Sequence, residues 1–245
     1  PISAKSYFGH NLLKQKSKNS YYYKNTNKWG GIIYDCIHEL KQVDHYEVVY
    51  AMVFEKMMKL IETLKPTRKT YFCFDGVPPY AKMVQQRQRR FKSILTNQIL
   101  HQEQSSWNTN HITPGTDFMN NLSNKIKKAF LNLEEHFNVK RIIVSGSNER
   151  GEGEHKIFQF IRNEKIEKNS HCFVYGLDSD LIMLSLFHCK YFENIYVFRE
   201  TPEFSKQLIS KENENSEFLF LSISTFANAI LSELNCSTFD NHRLY

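Results

Sequence analysis

RIIVSGSNERGEGEHKIFQFIR, residues 141–162, sets an apolar β-rich run, a glycine-rich turn and a helical pattern in direct succession. Arg141–Ser145 has the length and β-branched content of a buried strand. Gly151 and Gly153 flank Glu152 and allow a tight turn before the helix. The same order recurs around Thr70–Phe74 and Cys172–Gly176, and a further apolar run lies at Asn194–Phe198. Strand–helix alternation of this kind predicts an α/β fold with a mainly parallel central sheet and helices on both faces.

Other helices follow from periodicity. Asp44 and Glu47 form a capping-box pair, and Val48, Val49, Met52, Val53, Met57, Leu60, Ile61 and Leu64 make an apolar stripe ending before Pro66. Met57 and Met58 serve as core filler. A second helix is predicted from Thr116 to Phe137, burying Phe118, Met119, Leu122, Ile126, Phe130, Leu133 and Phe137. A third, through Lys82–Leu100, is polar for most of its length, so it faces solvent or a charged ligand. The polar stretches Glu103–His111 and Ser210–Glu217 read as loops, neither of them a hinge between two cores, and KQKSKNSYYYKNTN (14–27) as a short biased tract. No internal repeat is present, and residues 1–245 are expected to form one domain.

The 245 residues carry a formal charge of +6, with 41% hydrophobic and 14% aromatic residues, which excludes a chain disordered throughout. No apolar run reaches the ~18 residues of a membrane-spanning helix; the best, Phe218 to Leu234, is broken by Ser222, Ser224, Asn228 and Ser232. The Lys-rich amino end lacks the apolar run of a secretory signal. Five cysteines at wide spacing, with no CxxC, argue against a disulfide framework or zinc site and for a reducing, intracellular setting.

Acidic residues gather at three strand ends. Asp75 ends TYFCF, Glu152 and Glu154 follow RIIVSGS, and Asp178 and Asp180 follow CFVYGL. Ligand sites in doubly wound sheets lie at the carboxyl ends of strands. Singly, each has a plain explanation: a turn at Asp75-Gly76, first-turn acids at Glu152 and Glu154, a helix cap at Asp178 or Asp180. Together, five carboxylates repel one another unless cations neutralise them. Mg²⁺ or a similar hard ion suits such oxygen donors, and two ions about 3.5–4 Å apart can stabilise both oxygens of a phosphodiester displacement.

Residues 82–92 contain Lys82, Arg87, Arg89, Arg90 and Lys92 without an acid. Lys82, Gln86, Arg89 and Arg90 share one helix face, a pocket for a terminal phosphate. The plainer alternative is a solvated cationic face, weakened here by the absence of acidic partners one turn away.

DGVPPYAKMVQQRQRRFKS (75–93), ITPGTDFM (112–119), GSNERGEGEHKIFQFIR (146–162) and YGLDSDLIMLSL (175–186) closely resemble, in order, motifs of the XRN/Rat 5′→3′ exoribonucleases, whose nuclease core is PIN-like and belongs to the flap-nuclease superfamily. SYFGHNLLK (6–14) resembles the family's opening. The resemblance implies an XRN-type N-terminal nuclease domain, with Mg²⁺ or Mn²⁺ held by Asp75, Glu152, Glu154, Asp178 and Asp180. It implies a pocket for the 5′-monophosphate of single-stranded RNA at Lys82, Gln86, Arg89 and Arg90, and release of mononucleotides from the 5′ end in mRNA turnover, in the cytoplasm more than the nucleus. Two departures stand out. Lys28 occupies the place of a family metal-ligand Asp ahead of GGIIYDCIHEL (30–40), with Asp35 a poor substitute, and Tyr34 replaces the base-stacking His, a role that Tyr can keep. A further family ligand lies beyond the last element seen, so a chain truncated at its carboxyl end is expected. An alternative is therefore a catalytically impaired relative that binds RNA 5′ ends. A DNA-directed flap nuclease ranks below both, because that superfamily lacks the KMVQQRQRR pattern.

Overall fold

Successive residues of single strands feed two different cores. The computed structural model describes residues 20–25, 33, 36, 37, 40, 46–99, 109–164, 169–176, 178–201 and 218–234. In β2 (Lys69–Cys73) Tyr71 and Cys73 enter one apolar cluster, while Phe72, with Phe74 just beyond the strand, enters the other. β4 (His171–Tyr175) and β5 (Asn194–Glu200) alternate in the same way. The period-2 pleat sends neighbours to opposite faces, so strands covered on both sides read as continuous apolar runs.

Helices close each face. α1 (Tyr46–Leu64) and α3 (Asp117–Ala129) bring Val53, Met57, Phe118, Leu122 and Ile126 to the first cluster. α4 (Gly153–Asn163) and α5 (Ser179–His188) bring Ile157, Phe158, Ile161 and Leu181 to the second. Each fully buried side chain of this size contributes about 2–3 kcal/mol. Val48, expected in the α1 stripe, is exposed instead, whereas Met57 is fully buried.

β2 and β3 (Arg141–Ser145) pair in parallel; β4 and β5 are parallel, and β6 (Phe218–Ser222) joins β5 antiparallel. β1 (Ser20–Asn25) pairs in parallel with both β2 and β4, giving the order β3-β2-β1-β4-β5-β6. The α/β class expected from the sequence is the class observed. The register sets Ser145, Cys73 and Asn25 side by side, with Tyr175 beside Lys24, so four strands reach one common carboxyl edge.

Three expectations change. The Tyr-rich tract contributes β1, because aromatic residues favour strands despite the flanking lysines. The helix expected to reach Phe137 stops at Ala129 with Phe130 as its cap, and Asn132 and Asn138 adopt φ of 65° and 52°. Asn tolerates the left-handed region, and the turns it permits still direct Phe130, Leu133 and Phe137 to the core, which sustained the helical periodicity. The apolar run from Phe218 divides at Ser222, whose Oγ accepts the Thr225 N–H and starts α6 (Ile223–Glu233). Among the described residues no helix is long and apolar enough to cross a membrane.

Ile33, Cys36 and Ile37 of the GGIIYDCIHEL stretch are buried in the first cluster, with Leu40 packed against it. The Asp44 half of the capping box and Lys28, Tyr34 and Asp35 lie outside the described residues.

Candidate active site

Two backbone hydrogen bonds stitch the segment after β2 to the loop after β3. Gly76 N–H donates to Gly151 O at 2.9 Å, and Gly151 N–H to Val77 O at 3.2 Å. The approach is close: a Cβ at Gly76 would lie 1.6 Å from Glu149 O, so only glycine fits. Gly151 has a φ of 93°, which aims the chain into α4. Glu149 closes the loop on itself, accepting from Ser145 Oγ at 2.6 Å and Gly146 N–H at 3.3 Å.

This stitching places Asp75 at the start of α4. Gly153 N–H donates to Asp75 Oδ1 at 2.6 Å, whereas Glu152, at the cap position, makes no capping bond of its own. A carboxylate from another strand thus satisfies one of the free N–H groups at the helix end. Glu152 and Glu154 are both buried beside it. Burial, reinforced by the charges of Glu152 and Glu154, raises the Asp75 carboxyl from 3.8 to about 6, although the Gly153 hydrogen bond and Lys156 pull the other way. Proximity of Asp75, Glu152 and Glu154 is therefore a feature of the fold, and the two glutamates disfavour the charged form of Asp75.

Lys156 was given no role by the sequence. Its ammonium is buried and donates to Phe74 O at 2.8 Å and Gly146 O at 2.9 Å, tying the ends of β2 and β3 together. Desolvation lowers its pKa, opposed by Cys73, Glu149 and Asp75. A lysine on the apolar side of a helix, next to Ile157 and Phe158, was the signal available. His155, also passed over, sets Nδ1 3.7 Å from Glu152 Oε2 and 3.8 Å from Glu154 Oε1.

The basic helix is α2 (Tyr80–Ile99). Its Lys82 ammonium lies 3.5 Å from Glu152 Oε1, joining the cationic face to the acidic cluster. Lys82 and Gln86 are half-buried, while Arg89 and Arg90, farther along the same face, are exposed. Asp178 and Asp180 stand at the carboxyl edge too, with β1 lying between β4 and β2. Asp178 caps the start of α5 without a side-chain capping bond, Asp180 is in its first turn, and both are exposed. The structure thus brings Lys82 against Glu152, Asp75 onto the Gly153 N–H beside Glu152 and Glu154, and Asp178 and Asp180 to the same edge.

The donors fit a divalent cation. Ligand atoms of Glu152, Glu154 and His155 all lie within 4.8 Å of one another, and a lysine ammonium already stands against one of the carboxylates.

The family description XRN 5'-3' exonuclease N-terminus matches residues 13–201. The chain is 33% identical to 5'-3' exoribonuclease 2 of Schizosaccharomyces pombe over 186 residues, covering 64% of this chain and 19% of the relative. It is 37% identical to human 5'-3' exoribonuclease 1 over 180 residues, 64% of this chain and 10% of the relative. Against 5'-3' exoribonuclease 2 of Saccharomyces cerevisiae it is 31% identical over 251 aligned residues, 83% of this chain and 25% of the relative. The chain spans a quarter or less of each of these three relatives. With more than half of its length matched, on the segments that build the acidic edge and the basic helix, the chain belongs to the XRN 5'-3' exonuclease N-terminus family.

Proposed function

We propose that this chain is the nuclease domain of a metal-dependent 5′→3′ exoribonuclease that hydrolyses 5′-monophosphorylated single-stranded RNA to mononucleotides. The observation that supports the reading is the Lys82–Glu152 contact, between a basic helix and one of two buried glutamates. Residues 1–245 are read as one domain of PIN/flap-nuclease type, with a mainly parallel central sheet between two helical layers. An intracellular, cytoplasmic setting in mRNA turnover accompanies this reading.

Asp75, Glu152, Glu154, Asp178 and Asp180 are the residues that would hold divalent ions. Bound Mg²⁺ or Mn²⁺, in a two-ion arrangement, supplies Lewis-acid stabilisation of charge on the phosphodiester oxygens. Lys82, Gln86, Arg89 and Arg90 grip the terminal phosphate, the arginines through forked donors. Tyr34 stacks on the leading base by family likeness. Held by its phosphate, the first nucleotide presents the next phosphodiester to the carboxylate edge. Water adds to phosphorus as the P–O3′ bond breaks, and the shortened RNA keeps a new 5′-monophosphate, so each product is the next substrate.

The test is hydrolysis of 5′-monophosphorylated RNA with Mn²⁺ by the purified chain and by a Glu154→Gln, Asp178→Asn double variant. Equal rates sink the activity. Equal affinity for 5′-phosphate and 5′-hydroxyl RNA removes the pocket, and equal rates on matched DNA strands remove the RNA assignment.

A further inference from the structure

We infer that His155 is a third ligand beside Glu152 and Glu154, and that its imidazole makes the centre take Mn²⁺ in preference to Mg²⁺. The inference rests on the metal-dependent reading above and adds a residue and a selectivity to it. Nδ1 of His155 stands 3.7 Å from Glu152 Oε2 and 3.8 Å from Glu154 Oε1. These distances exceed hydrogen bonds, so the three groups face one another without being bonded together through those atoms. The three donor atoms fall within 4.8 Å of one another, a spacing that small side-chain adjustments close onto one ion.

The members differ in freedom. Glu152 and Glu154 are held by burial, with 7% and 10% of their side chains exposed, whereas His155 exposes 63%. The imidazole is therefore the adjustable ligand on a fixed pair of carboxylates. Cation demand at the same spot is independently visible in the Lys82 ammonium, 3.5 Å from the other Glu152 oxygen. Donor chemistry then sets the preference. Mg²⁺ favours oxygen ligands and retained water, while an imidazole nitrogen suits transition ions. The competing account is an ordinary surface pair, in which a protonated His155 merely faces two carboxylates. It gives no selectivity between metals.

The two accounts separate on the metal-free 245-residue chain. Mn²⁺ binding is read by the loss of the free-ion electron paramagnetic resonance signal, and Mg²⁺ is titrated in as competitor. His155→Gln should lower the Mn²⁺-to-Mg²⁺ preference by roughly tenfold, the scale of losing one group around a metal. His136→Gln, which removes another exposed histidine, should change nothing. In the wild-type chain, substoichiometric Mn²⁺ should broaden the His155 imidazole resonances first, a readout independent of how the variant folds. Mn²⁺ binding with no selective broadening, or with an unchanged preference in folded His155→Gln, removes His155 and leaves the metal-dependent reading intact. Failure of the wild-type chain to bind Mn²⁺ sinks both.

Discussion

The carboxylates at the two ends of the candidate site live in opposite environments. Asp75, Glu152 and Glu154 are pressed between β2, β3 and α4, while Asp178 and Asp180 open onto solvent at the start of α5. The first group is fixed before any ligand arrives, by the Gly76–Gly151 stitch, the Gly153–Asp75 hydrogen bond and the buried Lys156. Its position carries a cost, visible in the raised Asp75 pKa. The second group costs the fold little, because water solvates it. The edge thus combines a half held by the fold with a half exposed to solvent.

The largest expected effect breaks the fold-held half chemically. Glu154→Gln should lower RNA hydrolysis by about 10³-fold or more, about 4 kcal/mol in barrier, in a single-turnover assay with Mn²⁺. A loss below tenfold would move the chemistry away from α4. Next comes the backbone. Gly76→Ala should cost about 3 kcal/mol in urea denaturation, since the added carbon meets the Glu149 carbonyl and the loop must shift. A cost near zero would show that the stitch is not tight.

Asp75→Asn should act in the opposite sense on stability. The folded carboxyl holds its proton more tightly than the unfolded one, so its contribution is full below pH 3.8 and is lost as pH rises through about 6. That rise corresponds to about 3 kcal/mol, reduced to about 2 by partial solvent access. Metal-free Asp75→Asn, which keeps an oxygen for Gly153 N–H, should therefore be more stable than wild type at pH 7.5 and equal to it near pH 3.5. Asp178→Asn, at an exposed position, should shift stability by no more than about 0.5 kcal/mol at pH 7.5. Matching behaviour of the two variants would erase the contrast between the halves. A smaller effect than that of Asp75→Asn concerns the basic face: Arg89→Met should reduce the preference for 5′-phosphate over 5′-hydroxyl RNA about tenfold, or about 1.4 kcal/mol, in direct binding.

Much of this arrangement was visible in the chain itself. Arg141–Ser145 was bounded as observed, and the strands around Tyr71 and Val174 shifted by one residue, because period and punctuation are local properties. The end of α3 was not, since Phe130, Leu133 and Phe137 reach the core through turns that imitate helical spacing. β1 was hidden by the lysines and asparagines of the surrounding tract, whose polarity outweighed three tyrosines in a linear reading. The acids were read from their place after strands, whereas Lys156, inside the same motif, was overlooked although its position on the apolar side of α4 was a local signal, and His155 had no such signal.

What the sequence determined by itself was the alternation of strands and helices, the acidic strand ends and the acid-free cationic run of α2, all consequences of residue type and period. Only the tertiary structure decided which carboxylates lose their water, that Asp75 rather than Glu152 caps α4, and that Lys82 meets Glu152. Those outcomes depend on groups far apart in the chain, such as the Asp75 carboxylate and the Gly153 N–H, meeting in one place, and desolvation and hydrogen bonding there are set by distances that no local pattern encodes.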